Sequence, residues 1–104
     1  AVTITNSEID TPFGPNSALA SFQAGIYIEA MDGFNMSTTR VGGANLANIY
    51  INNINSGTFI SHIIIDNNFF DLAPGRSILT QGSTGDMDGL TISNNHLGST
   101  IMLA

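Results

Sequence analysis

A chain of 104 residues fits one small domain, and its two arginines against eight acids leave a formal net charge of −6. So little positive charge offers no basic patch to nucleic acid or to anionic lipid, and neither partner is expected. The lack of cysteine excludes a disulfide framework, a thiolate nucleophile and a zinc–thiolate site. No apolar run approaches the ~18–20 residues of a membrane-spanning helix, so no membrane insertion is expected.

In chain order, the pattern opens with Val2-Thr3-Ile4-Thr5-Asn6-Ser7-Glu8-Ile9, a short strand, a polar step, then an apolar residue. Residues 16–23 hold good helix formers but are too few for the crossover helix of a βαβ unit. Ile26-Tyr27-Ile28 reads as a second strand. The unit then recurs: Phe34 to Val41 with Ile49-Tyr50-Ile51, Ile63 to Phe70 with Ile78-Leu79-Thr80, and Leu90 to Leu97 with Ile101-Met102-Leu103. The unit starts Val2, Phe34, Ile63 and Leu90 are separated by 32, 29 and 27 residues. The polar step holds Asn6, Thr38, Asn67 and Asn94 at one phase and Ser7, Thr39, Asn68 and Asn95 at the next. Asparagine tolerates the left-handed backbone of a sharp turn and can hydrogen-bond along a ladder, so these residues are expected to be scaffold. Asp66, in phase with Thr5, Ser37 and Ser93, reads as a turn former.

Short hairpin turns are missing where a meander would need them. A repeat of strand, polar step, strand and variable loop fits stacked coils whose strands pair in parallel, ~4.8 Å apart. The expected fold is all-β, a single segment over residues 1–104 of about four coils. Because the chain opens at Ala1-Val2 and closes at Met102-Leu103-Ala104 inside strand patterns, it reads as a processed product or a piece of a longer coil stack. Strand alternation turns Ile26, Ile28, Ile49, Ile51, Ile78, Thr80, Ile101 and Leu103 inward. Tyr27, Tyr50, Leu79 and Met102 then form an outward apolar ladder that needs a cover.

The pattern apolar-x-apolar-[Ser/Thr/Asp]-Asn-Asn-x-apolar, as at Gly89 to Leu97, together with Gly25-Ile26-Tyr27-Ile28, resembles the right-handed parallel β-helix of the pectin-lyase-like superfamily. In texture it is similar to bacteriophage tailspike β-helices. That resemblance implies a solenoid fold, a homotrimer on a virion tail or in an extracellular setting, host adhesion, and binding or cleavage of bacterial surface polysaccharide by a glycosidase or a polysaccharide lyase. It leaves open a purely structural, oligomerising stem or adhesin segment without enzymatic activity.

Glycoside hydrolysis needs two carboxylates, and Glu29 and Asp32 follow the first Ile-Tyr-Ile strand. By counting from each strand, Glu29 stacks with Asn52 and Gln81, and Asp32 with Asn55 and Thr84. Beside Tyr27 and Tyr50 this makes a polar, aromatic strip suited to sugars, whose hydroxyls bond amides while their rings lie against aromatic groups. Glu29 and Asp32 are the candidate catalytic pair; Tyr27, Tyr50, Asn52, Asn55 and Gln81 are the candidate substrate-binding residues. No cofactor is expected. Asp86-Met87-Asp88-Gly89, read as a Gly-rich loop, is too thin a ligand set for calcium. His62 and His96 fall in different phases, and Glu8 with Arg40 reads as a cross-strand ion pair. Asn35-Met36-Ser37 matches a glycosylation sequon, and an inward Met36 would make it a poor acceptor.

Overall fold

The structure, a computed structural model, describes residues 1–10, 24–53, 59–71, 75–81 and 86–103. These residues form strands and connecting bends and no helix. Each of the sequence units supplies three strands. The first gives β1 (Val2–Thr5), β2 (Glu8–Asp10) and β3 (Ala24–Ile28); the second β4 (Met31–Ser37), β5 (Arg40–Gly42) and β6 (Ala47–Asn52). The third gives β7 (Phe59–Asp66), β8 (Phe69–Phe70) and β9 (Arg76–Gln81); the fourth β10 (Asp86–Ser93), β11 (His96–Leu97) and β12 (Ile101–Leu103).

The strands assemble into three sheets of four, ordered β1-β4-β7-β10, β2-β5-β8-β11 and β3-β6-β9-β12, and every pairing is parallel. Like residues lie side by side. Val2, Phe34, Ile63 and Leu90 share one row of the first sheet, and Ile26, Ile49, Ile78 and Ile101 one row of the third. The residues after the polar step, Glu8, Arg40, Phe69 and His96, start a sheet of their own.

Alternation sends one apolar side of each strand inward. Phe34, Met36, Val41, Ile49, Ile51, Ile63, Ile65, Phe70 and Ile78 are all buried. The fully buried cluster draws almost wholly on the two middle units, whereas Ile4, Ile9, Ile26, Leu90, Ile92 and Ile101, at the same phases of the outer units, are only partly covered. An outer unit has a neighbouring layer on one side only.

Two columns of left-handed residues bend the strands. At the polar step Asn6, Thr38, Asn67 and Asn94 have φ of 49°, 49°, 60° and 53°. Upstream, Gly33, His62 and Gly89 have φ of 90°, 55° and 75° and lie in one row of the first sheet. The second column resets the alternation: within β7, Ile60 and Ser61 are both buried, His62 is exposed and Ile63 is buried again. Asp86 to Gly89, expected as a loop, is thereby the first half of β10.

The turn is stapled from unit to unit. The Asn68 amide donates to the carbonyls of Met36 (2.9 Å) and Asp66 (3.1 Å), and its Oδ1 accepts from the Thr39 N–H at 3.1 Å. Asn95 repeats the motif one unit on, donating to Ile65 O at 2.9 Å and accepting from the Asn68 N–H at 2.8 Å. Ser7 and Thr39 instead fold their hydroxyls back onto Thr5 O and Ser37 O. The ladder thus runs through Asn68 and Asn95, while Asn67 and Asn94 supply the left-handed backbone.

Candidate functional site

The aromatic strip lies on the outer side of the third sheet. Tyr27 pairs with Tyr50, Tyr50 with Leu79, and Leu79 with Met102. The tyrosine rings meet edge-to-face, with centroids 5.4 Å apart. Each phenol is tied to an amide one unit further on: Asn52 Nδ2 donates to the Tyr27 hydroxyl at 3.2 Å, and the Tyr50 hydroxyl donates to Gln81 Oε1 at 2.7 Å. Asn52 and Gln81 are themselves register partners. Tyr27 is 50% exposed, Tyr50 half-buried and Gln81 exposed. Leu79, however, is 7% exposed, so the expected outward ladder is not open along its length. Asn52 is buried, and its Oδ1 is the one buried side-chain N or O atom among the described residues without a hydrogen-bond partner.

The carboxylates are placed differently from the expectation. Glu29 stands exposed in the bend after β3, one residue beyond the Ile28–Ile51 pairing, and so beside the strip. Asp32 belongs to β4 in the first sheet, where its partner is Ser61 rather than Asn55 or Thr84. The bend upstream of Phe34 is left-handed at Gly33 and already part of the strand, which counting from the preceding strand could not reveal. Asn55 and Thr84 lie outside the described residues.

Asp32 makes contacts of its own. Its Oδ1 accepts from Ser61 Oγ at 2.7 Å and lies 2.8 Å from His62 Nδ1. Those bonds, His62 first and Ser61 second, hold its carboxyl below the ordinary 3.8. Asp66 is lowered likewise, by Ser93 Oγ at 2.7 Å and Asn94 Nδ2 at 3.0 Å on its Oδ1.

A second concave feature follows the corner between the first and second sheets. It is an open groove of ≈ 700 Å³ that touches all four units. One wall is the left-handed column of Asn6, Thr38, Asn67 and Asn94; the other is the row Glu8, Arg40, Phe69 and His96. Phe69 and His96 stack face to face, with centroids 4.5 Å apart and planes 7° from parallel, and the Arg40 guanidinium lies 5.4 Å from the Phe69 centroid. Arg40 bonds Asp71 at 2.5 Å, not the Glu8 that the sequence pairs with it; Asp71 follows β8, two residues past Phe69 and in phase with Asp10 and Gly42. Glu8 instead feels Asp10, whose hydrogen bond and negative charge raise its carboxyl above the ordinary 4.5. Sequence reasoning treated this corner as scaffold. The missed signal was that a guanidinium and two rings recur at one outward phase of the repeat.

No protein-family model, curated protein or solved structure matches the chain.

Proposed function

We propose that the three sheets are the faces of one right-handed parallel β-helix of the pectin-lyase-like kind, and that this segment binds bacterial surface polysaccharide as tailspike β-helices do. In support of the fold reading, the strands return to the same sheet every third element, in register and always parallel. That succession suits a chain winding round a common core. The single observation carrying the binding reading is the third-sheet strip in which the Tyr27 and Tyr50 phenols are held by Asn52 and Gln81. Amides fixed beside aromatic edges present donors and acceptors at a set spacing, which is what a polyhydroxylated chain needs. The unpartnered Asn52 acceptor is a further group that a sugar hydroxyl would satisfy if the amide turned outward. With a net charge of −6 the surface favours a neutral glycan over an anionic one.

In this reading the assembly is a homotrimer at a virion tail or another extracellular surface, and Glu29 and Asp32 remain the carboxylates to test for cleavage. The experiment exposes the protein to a panel of bacterial surface glycans, scoring both binding and release of oligosaccharide. Tyr27→Ala and Tyr50→Ala are expected to lower affinity about tenfold each, roughly the loss of one good contact. Glu29→Gln and Asp32→Asn are expected to abolish any cleavage while leaving binding in place. A stable trimer that binds no member of the panel favours a structural stem and defeats the binding reading.

A further inference from the structure

The corner groove is a built feature that the third-sheet strip does not use. It runs across the strands, in the stacking direction, and reaches from Asn6 in the first unit to Asn94 in the fourth. At ~4.8 Å per strand that is about 14 Å of continuous trough. An open trough of this length suits an extended polymer better than a compact ligand.

Its walls narrow the chemistry. On one side Asn6, Thr38, Asn67 and Asn94 are all turned through the left-handed region, so amide and hydroxyl groups recur once per unit. The floor is already occupied: Asn68 spends its amide on Met36 O, Asp66 O and the Thr39 N–H and remains 4% exposed. The first wall is the one turned toward a ligand, with Asn94 Nδ2 already donated to Asp66 Oδ1 at 3.0 Å and its Oδ1 the group that remains. On the other side Phe69 is 42% exposed but has His96 on one face and the Arg40 guanidinium near its ring. Rings stacked on each other show a ligand their edges, an apolar rail next to the polar wall.

Charge decides between polymers. The cation of this wall, Arg40, is bound to Asp71, and Glu8 lies beside Asp10. In the groove a phosphate or uronate chain would meet the Glu8 carboxylate and an Arg40 already paired with Asp71. A neutral polymer of sugars, with hydroxyls for the amide wall and C–H edges for the Phe69–His96 rail, meets neither penalty.

We propose that this corner groove is a separate binding site for a neutral linear polysaccharide, lying along the stacking direction with Asn67 and Asn94 on one side and Phe69 and His96 on the other. The site does not rest on the third-sheet reading.

The test is NMR titration of the full chain with hexasaccharides of β-1,4-glucan, β-1,4-xylan and α-1,4-glucan, and with hexagalacturonate as the acidic probe. Saturable shifts are expected at the Asn67, Phe69, Asn94 and His96 amides with at least one neutral probe. Phe69→Ala is expected to weaken that binding about tenfold. So is Asn67→Gly, which keeps the left-handed turn and deletes only the amide. The Tyr27→Ala/Tyr50→Ala double variant is expected to leave the groove titration unchanged. Shifts confined to Tyr27, Tyr50 and Gln81 overturn the groove and leave the third-sheet site standing; shifts confined to the groove do the reverse. Absence of binding by every neutral probe, or hexagalacturonate binding the groove as well as a neutral probe, also overturns the proposal.

Discussion

Thr38 sits where its neighbours in the stack are asparagines. Its φ of 49° matches those of Asn6, Asn67 and Asn94, but a β-branched side chain is strained in that region and asparagine much less so. Thr38→Asn is therefore expected to raise stability by about 1 kcal/mol, read as a higher urea midpoint with unchanged slope. A lower midpoint would mean that Thr38 makes contacts worth more than the strain. His62 poses the same question differently. It is the non-glycine member of the column with Gly33 and Gly89, and its ring lies against Asp32. The left-handed turn at the polar step was legible, because Asn pairs at a constant phase have a known backbone preference. The column through His62 was not, because Gly33 and Gly89 read as loop glycines and His62 carries no such preference.

At the scale of the element, what binds one unit to the next differs between inside and corner. Inside, rows of isoleucine repeat with the strand register. At the corner a single amide does several jobs: Asn68 bonds two carbonyls and one N–H, joining the second unit to the third. Asn68→Ala is expected to cost about 1–3 kcal/mol, since it strands the buried Thr39 N–H and two carbonyls. Asn95→Ala should cost less, because its site in the outermost unit is half-exposed and water can replace the amide. Urea unfolding of the two variants side by side checks the order. The sequence assigned hydrogen bonding to the polar step as a whole. It could not divide the roles between Asn67 and Asn68, because one residue's rotation about the strand decides which amide points in. The short strands β2, β5, β8 and β11 were likewise reduced to a single apolar position each, since two or three residues give too little alternation to read.

For the whole molecule, acid is the informative perturbation. Asp32 and Asp66 titrate below 3.8 when folded, so their contribution is complete above that value and is lost as pH falls through the folded values. Glu8 is raised above 4.5 and acts oppositely: its contribution is present below 4.5 and lost as pH rises through its folded value. The urea midpoint is thus expected to hold or rise slightly on acidification toward about pH 4, then fall, and Asp66→Asn should flatten the fall. A midpoint that falls steadily from pH 7 would contradict these assignments. The repeat of apolar and asparagine positions by itself determined the all-β class, the parallel pairing of like with like and the inward rows of the two middle units; Leu103, expected inward, is 64% exposed in the outer unit. Those follow from periodicity, which is a local property of the chain. Only the tertiary structure decided which strand Asp32 joins, that Arg40 reaches Asp71, that Leu79 is covered, and that Arg40, Phe69 and His96 close one wall of a groove. Each of these depends on where a bend of variable length delivers the next strand, and on side chains from different units meeting across a corner, which spacing along the chain does not encode.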